Sequence, residues 1–169
     1  MLNVPVVLVH EEIEHDSVPD HKTVMQLYDM LSQLTYVVDA AVDLRDQARQ
    51  RSSQTSDRKL KSQIDKLAAQ LDDFRTSLVA VKEGGMITGE HKLRENLGEL
   101  YGGVNGYLGR PTQSQLERAG VLSKQLLDAG AKFQSFGDKD VAALNAALAK
   151  AKLDALKVLS KDDWNKKQQ

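Results

Sequence analysis

LRENLGELYGGVNGYLGRPT, residues 93–112, is the stretch that decides the fold. Leu93, Leu97, Leu100, Val104 and Tyr107 follow one another at steps of four, three, four and three, the spacing that lines one face of a helix. The helix then has to stop. Gly109 offers a left-handed cap, and Pro111 disfavours helical backbone at Arg110, the residue before it. Thr112, with Gln115 three residues on, makes a capping box for the next helix. The stretch reads as a buried helix followed by a corner that turns the chain back. Each interior glycine costs about 1 kcal/mol relative to alanine. The strip Gly98, Gly102 and Gly106 is therefore expected to be offset by close approach of another helix backbone.

Downstream, Leu116, Ala119, Leu122, Leu126, Ala129 and Phe133 form the inward face of a helix from Thr112 to about Phe136. Gly137 is expected to end it. Asp138 then caps a short fifth helix with Val141, Leu144 and Leu148 inward, where Asn145 is expected to be a satisfied polar residue. Ser160 and Asp163 make one more capping box before Trp164, the single Trp, which is expected to dock on the bundle or on a neighbouring domain.

Upstream, Leu60, Ile64, Leu67, Leu71, Phe74, Leu78 and Val81 alternate steps of four and three along a second helix from about Asp57 to Lys82, a coiled-coil-like seam. Gly84 and Gly85 stop it. The first helix starts at the Ser17/Asp20 capping box, with Pro19 in its first turn, and runs to about Arg51. Its stripe is Val24, Leu27, Leu31, Leu34, Val38 and Ala41, widened by Tyr28, Val37 and Val42. Beyond Leu44 the pattern fades into RDQARQRSSQTSDRK. That run is expected to be a solvated hairpin tip clear of the core, in preference to a site at which Arg45, Arg49, Arg51 and Arg58 bind an anion or a partner.

Ahead of it all, Val4 to Val9 (VPVVLV) reads as a short strand, with Leu156 to Leu159 one possible partner within the chain. The polar connector that follows contains His10, Glu11, His15 and His21. It fails the HExxH spacing, because position 14 is Glu14. A looser His/Glu metal cluster stands against the plainer reading as a solvated linker.

The expected fold is thus an all-α, up-and-down bundle of four main antiparallel helices plus a short fifth helix, with a short β-like N-terminal lead. Residues 1–16 are an extended lead or linker, 17–152 the bundle, and 153–169 a C-terminal tail with a short helix. The chain's 169 residues suit one core, and 41% hydrophobic with 28% charged residues is a globular balance. A net charge of −1 argues against a nucleic-acid-binding face. There is no Cys to form disulfides or thiolate metal sites. No apolar run approaches the roughly 20 residues of a membrane span, and MLNVPVVLVHEE lacks the basic start and cleavage site of a signal peptide.

LRENLGELYGGVNGYLGRPTQSQLER, residues 93–118, resembles the C-terminal helical segment of large sortilin-like, BNR-repeat β-propeller proteins, commonly described as glycosyl hydrolases or relatives of sialidases. The likeness takes in LRDQARQ (Leu44 to Gln50), DVAALNAAL (Asp140 to Leu148) and VLSKDDWNKKQ near the end, with GRPT its most distinctive piece. It implies the terminal helical module of a larger exported protein, with a β-propeller domain before it and Val4 to Val9 as the last strand leaving that domain. Any catalytic carboxylates would belong to the propeller.

Glycoside hydrolysis needs two carboxylates facing each other across a cleft, whereas Glu95 and Glu99 read as solvated charges on one helix. There is no GxSxG, P-loop, GxGxxG after a strand, or Glu-x-x-His pair. No enzyme and no cofactor is expected here. The expected function is a non-catalytic accessory module acting in domain packing or protein interaction. Leu93, Leu97, Gly102, Arg110, Pro111, Thr112 and Trp164 are its structural and interaction residues. The alternatives are a free-standing oligomerisation or protein-binding module using the seam of the second helix, and a metal-binding bundle. The sequence leaves the oligomeric state open.

Overall fold

The computed structural model describes residues 21–81, 89–107 and 109–168. The strand expected at Val4–Val9, the Ser17/Asp20 capping box and the stop at Gly84 and Gly85 lie outside them. Among the described residues every regular element is helical: α1 (His21–Gln54), α2 (Arg58–Leu78), α3 (Leu93–Asn105), α4 (Gln113–Ser135), a π-helical turn (Phe136–Val141), α5 (Ala142–Lys150) and α6 (Lys161–Lys167). The all-α bundle expected from the sequence is what the chain builds.

Side-chain pairs set the directions of the helices. Arg45 reaches Asp72 and Ser52 reaches Asp65, so α1 and α2 are antiparallel. Phe74 packs on Phe133 and Phe136, while Leu67 lines a recess with Leu144 and Leu60 another with Ala147, so α2 also opposes α4–α5. Arg118 bonds Glu99, and a Cβ on Gly103 would meet Gln115, so α3 opposes α4. It follows that α2 and α3 run the same way. The four-helix order is thereby refined to three rods: α1 up, α2 then α3 down, α4–α5 up. Lengths agree, since α2 and α3, of 21 and 13 residues, together equal the 34 of α1, about 51 Å at 1.5 Å per residue.

The seam of α2 is buried from Leu60 to Leu78, and Leu93, Leu97, Leu100 and Val104 continue it along α3. That seam is core, so it offers no surface for assembly. α2 ends at Leu78 rather than Lys82. Val79 is extended, and Val81 is exposed.

α3 ends at Asn105, with Gly106 as its cap at φ −83°. No described glycine has positive φ, so Gly109 is not the left-handed cap expected, and Tyr107 leaves the stripe to become exposed. Thr112 does cap α4: its Oγ1 accepts from the Gln115 N–H at 3.3 Å, and Gln115 Oε1 accepts from the Thr112 N–H at 2.8 Å. Leu116 is exposed, while Ala119, Leu122, Leu126, Ala129 and Phe133 are buried as expected.

The glycine strip is a correction. Gly98 and Gly102 are exposed, and a Cβ built on either meets no atom within 4 Å, so no helix backbone passes there. Leucines on the other face already bury α3, which leaves the glycine side to solvent. Gly98→Ala and Gly102→Ala are each expected to raise unfolding stability by about 1 kcal/mol, read by urea denaturation.

Gly137 and Asp138 do not break the chain as expected, because both lie inside the π-helical turn joining α4 to α5. Phe136 and Val141 are both buried, yet they are five residues apart. At about 100° per residue an α-helix would turn Val141 roughly 140° away from Phe136. One wide i→i+5 turn absorbs the extra residue and returns Val141, Leu144 and Leu148 to the core without a break.

α5 ends in a Schellman turn. Leu153 N–H bonds Leu148 O, Lys152 N–H bonds Ala149 O, and Lys152 sits at φ 57° where glycine is usual. A left-handed non-glycine costs roughly 1–2 kcal/mol, part of which glycine loses again as unfolded-chain entropy. Since Lys152 is exposed, Lys152→Gly is expected to stabilise by about 1 kcal/mol and raise Tm by about 2–4 °C.

From there residues 153–160 run extended as a strap along α1, antiparallel to it. Arg51 holds Asp154, Gln47 holds Lys157, Tyr36 bonds Leu159 and Gln33 bonds Lys161. An extended chain rises about 3.3 Å per residue and a helix 1.5 Å, so eight strap residues track about five turns of α1. The expected tail is therefore packed on the bundle, with Leu156 buried. The hairpin tip does not stand clear either: Leu44, Ala48 and Ser52 are buried, and Arg45 and Arg51 bond within the chain.

Candidate functional site

Each polar residue that the fold brings together is accounted for by structure first. Glu95 is not the solvated charge expected. Its Oε2 accepts from the Ala80 N–H at 3.1 Å and the Lys92 N–H at 3.3 Å, which ties the end of α2 to the start of α3. Burial pushes its carboxyl up, but the Ala80 N–H and Arg94 outweigh this and hold it below the usual range. Asp72 is likewise lowered, chiefly by the hydrogen bond from Arg45. Glu99 pairs with Arg118 on the surface at 2.7 Å. The two glutamates thus serve helix junctions and do not face each other across a cleft.

A carboxyl lowered on folding contributes stability above its unfolded pKa, and that contribution is lost as pH falls through the folded value. Stability is therefore expected to drop on acidification below about pH 4–5. Glu95→Gln should cost about 1–2 kcal/mol at neutral pH, since hydrogen bonds to a charged group are the stronger kind. The gap to wild type should close in acid as Glu95 protonates, which denaturation midpoints across a pH series would show.

Trp164 settles on its own bundle. Its Nε1 donates to Asp39 at 2.8 Å, its ring meets Tyr36 edge-on at 5.9 Å, and it is buried. It anchors α6 and presents no docking face. Leu93 and Leu97 are core, Thr112 is a cap, Gly102 and Arg110 are exposed, and Pro111 is half-buried at the corner. These residues are spread along the second and third rods and form no common site. Asn145 is satisfied, as expected, through the Leu156 backbone. His10, Glu11 and His15 lie outside the described residues, and His21 is exposed at the first turn of α1. Among the described residues no three His, Asp or Glu side chains come together as metal ligands.

The surface feature not foreseen is a groove between α1 and α4. It has a volume of about 610 Å³, walled by Tyr36, Val37, Leu126, Leu127 and Phe133, with Val158 of the strap at its side. Gln33, Ser123 and Gln134 add uncharged polar groups. Leu127 is 70% exposed and Val158 40% exposed. Leu127 was the one available signal, a leucine off the stripe of α4. A second recess of about 220 Å³, between α2 and α5, is lined by Gln63, Lys66, Gln70 and Asp140 and is mostly polar. The apolar groove can bury a side chain from another surface.

Compared with known proteins, the chain matches no family model, no curated sequence and no solved structure.

Proposed function

We propose that this chain is a non-catalytic helical accessory module that acts by contact, packing on a preceding β-propeller domain of the sortilin-like, BNR-repeat kind or on a protein partner, and that it is exported with such a parent. The observation that supports this reading is the apolar groove between α1 and α4, with Leu127 standing 70% exposed beside it. Clustered exposed apolar side chains beside a concavity mark interaction surfaces, where scattered ones do not. The likeness at residues 93–118 supplies the identity of the neighbour.

The DNA upstream of Met1 tests the parent. An in-frame run encoding repeated aromatic-rich strands supports it, and a stop codon directly before Met1 removes it. Leu127→Lys tests the groove. Because the side chain is largely exposed, the substitution should change stability by no more than about 0.5 kcal/mol, while association with the neighbouring domain, followed by calorimetry, should be lost. Unchanged association would mean the contact lies elsewhere. Light scattering of the isolated chain is expected to give a monomer, and a dimer abolished by Leu127→Lys would place a second copy in the groove.

A further inference from the structure

Two side-chain amides grip the strap from opposite sides. Gln47 of α1 donates from Nε2 to the Lys157 carbonyl at 2.9 Å and accepts at Oε1 from the Lys157 N–H at 2.9 Å. Asn145 of α5 donates from Nδ2 to the Leu156 carbonyl at 3.0 Å and accepts at Oδ1 from the Leu156 N–H at 2.7 Å. Two consecutive residues thus have both backbone groups bonded by facing walls, as flanking strands would bond them. Such a clamp reads peptide backbone. Side-chain choice falls to what lies around it: Leu156 is buried, and the Arg51 guanidinium takes the Asp154 carbonyl at 2.9 Å and its carboxylate at 3.4 Å at one end.

The strap's own sequence opposes the conformation it is held in. AKLDALKVL, residues 151–159, is built largely from Ala, Leu and Lys, strong helix formers, and contains no Gly or Pro. It follows directly on α5, and the turn that ends α5 needs Lys152 at φ 57°. Local preference therefore favours continuing α5, and tertiary contacts must hold the extended form against it. Release would relieve Lys152 and let residues 151–159 join α5 as helix, leaving the channel between α1 and α5 open, its two amides without their bonds to the strap and Gln47 still donating to Asp43 at 2.7 Å.

We propose that this channel is a peptide-binding site which reads an extended apolar segment through the Gln47 and Asn145 amides, with the strap as its cis occupant, exchangeable for an equivalent segment of a partner. The proposal rests on the reading of the chain as a contact module and names a second surface for it, distinct from the open groove.

The test titrates a fluorescently labelled synthetic peptide of residues 151–168 into the full chain and its variants. Leu156→Asp puts a charge in the buried leucine's place and should free the strap while leaving both amides. Lys157→Pro removes the N–H that Gln47 accepts without touching the core, and serves if the first variant folds poorly. Release is read as a red shift of Trp164 emission with helicity at 222 nm retained or raised in Leu156→Asp. The peptide should bind the released variants at least ten-fold more tightly than wild type. Adding Gln47→Ala and Asn145→Ala should weaken that binding at least ten-fold.

Equal binding to released and wild-type chains, or no loss on removing the amides, overturns the proposal. So does Trp164 emission that stays unchanged in both strap variants. Unchanged partner binding in Leu127→Lys with the peptide result intact would instead count against the open groove alone, so the two readings fail separately.

Discussion

Phe74→Ala is expected to cost about 3–5 kcal/mol, a large share of the 5–15 kcal/mol typical of a whole domain. Phe74 is 2% exposed and joins the second rod to the third where α4 passes into the π-helical turn. Its ring lies near-parallel to Phe133 at 6.3 Å and edge-on to Phe136 at 5.7 Å, and the Lys132 ammonium stands 5.5 Å from its centroid. Truncation removes the transfer energy of the ring, leaves a cavity that stiff helices cannot close, and breaks two aromatic pairs worth about 0.5–1.5 kcal/mol each. Lys132 adds little, as a cation at an exposed site contributes about 0.5–1 kcal/mol. Urea unfolding followed at 222 nm measures the loss. Phe74→Leu, which refills most of the volume, should recover more than half of it. A cost below about 1.5 kcal/mol would mean that the aromatic cluster is not the keystone it appears from its position.

Two single-residue deletions in the third rod should differ by several kcal/mol although both remove an exposed lysine. Deleting Lys124 from the straight part of α4 turns everything beyond it by about 100° relative to everything before it. Ala119 and Leu122 then cannot share a face with Leu126, Ala129 and Phe133, and displacing even two core leucines costs upward of about 5 kcal/mol. That chain should fail to fold cooperatively. Deleting Lys139 shortens the step from Phe136 to Val141 from five to four, the α-helical spacing, so the wide turn becomes ordinary helix and the core is kept. Its stability should lie within about 1 kcal/mol of wild type. Equal damage from both deletions would mean the wide turn is required for something other than register.

The same comparison shows why some features were legible and others were not. The stripes of α2, α3 and α4, apart from Val81, Tyr107 and Leu116 at their ends, and the Thr112 and Ser160 caps follow from residues within a turn or two of one another, and they stand where periodicity and capping chemistry put them. The wide turn was written in the five-residue step to Val141, but glycine followed by aspartate looks the same whether a helix stops or widens. Glu95 looked solvated because its partner, the Ala80 N–H, is 15 residues away. The glycine strip looked like a packing face because spacing cannot say whether a second helix is there to pack.

The sequence by itself determined that this protein is helical, where its buried faces lie and most of the points at which helices begin, because helix periodicity, capping and Pro or Gly interruptions act locally. Only the tertiary structure decided that α2 and α3 run in one direction as a split rod, and that Trp164 closes on Tyr36 and Asp39. It alone showed that AKLDALKVL is stretched along α1 instead of extending α5, and that a groove is left between α1 and α4. Those outcomes depend on which of several apolar faces meet. That choice is made by the sum of long-range burial and a few side chain to backbone bonds, which in the strap outweigh the local preference for helix.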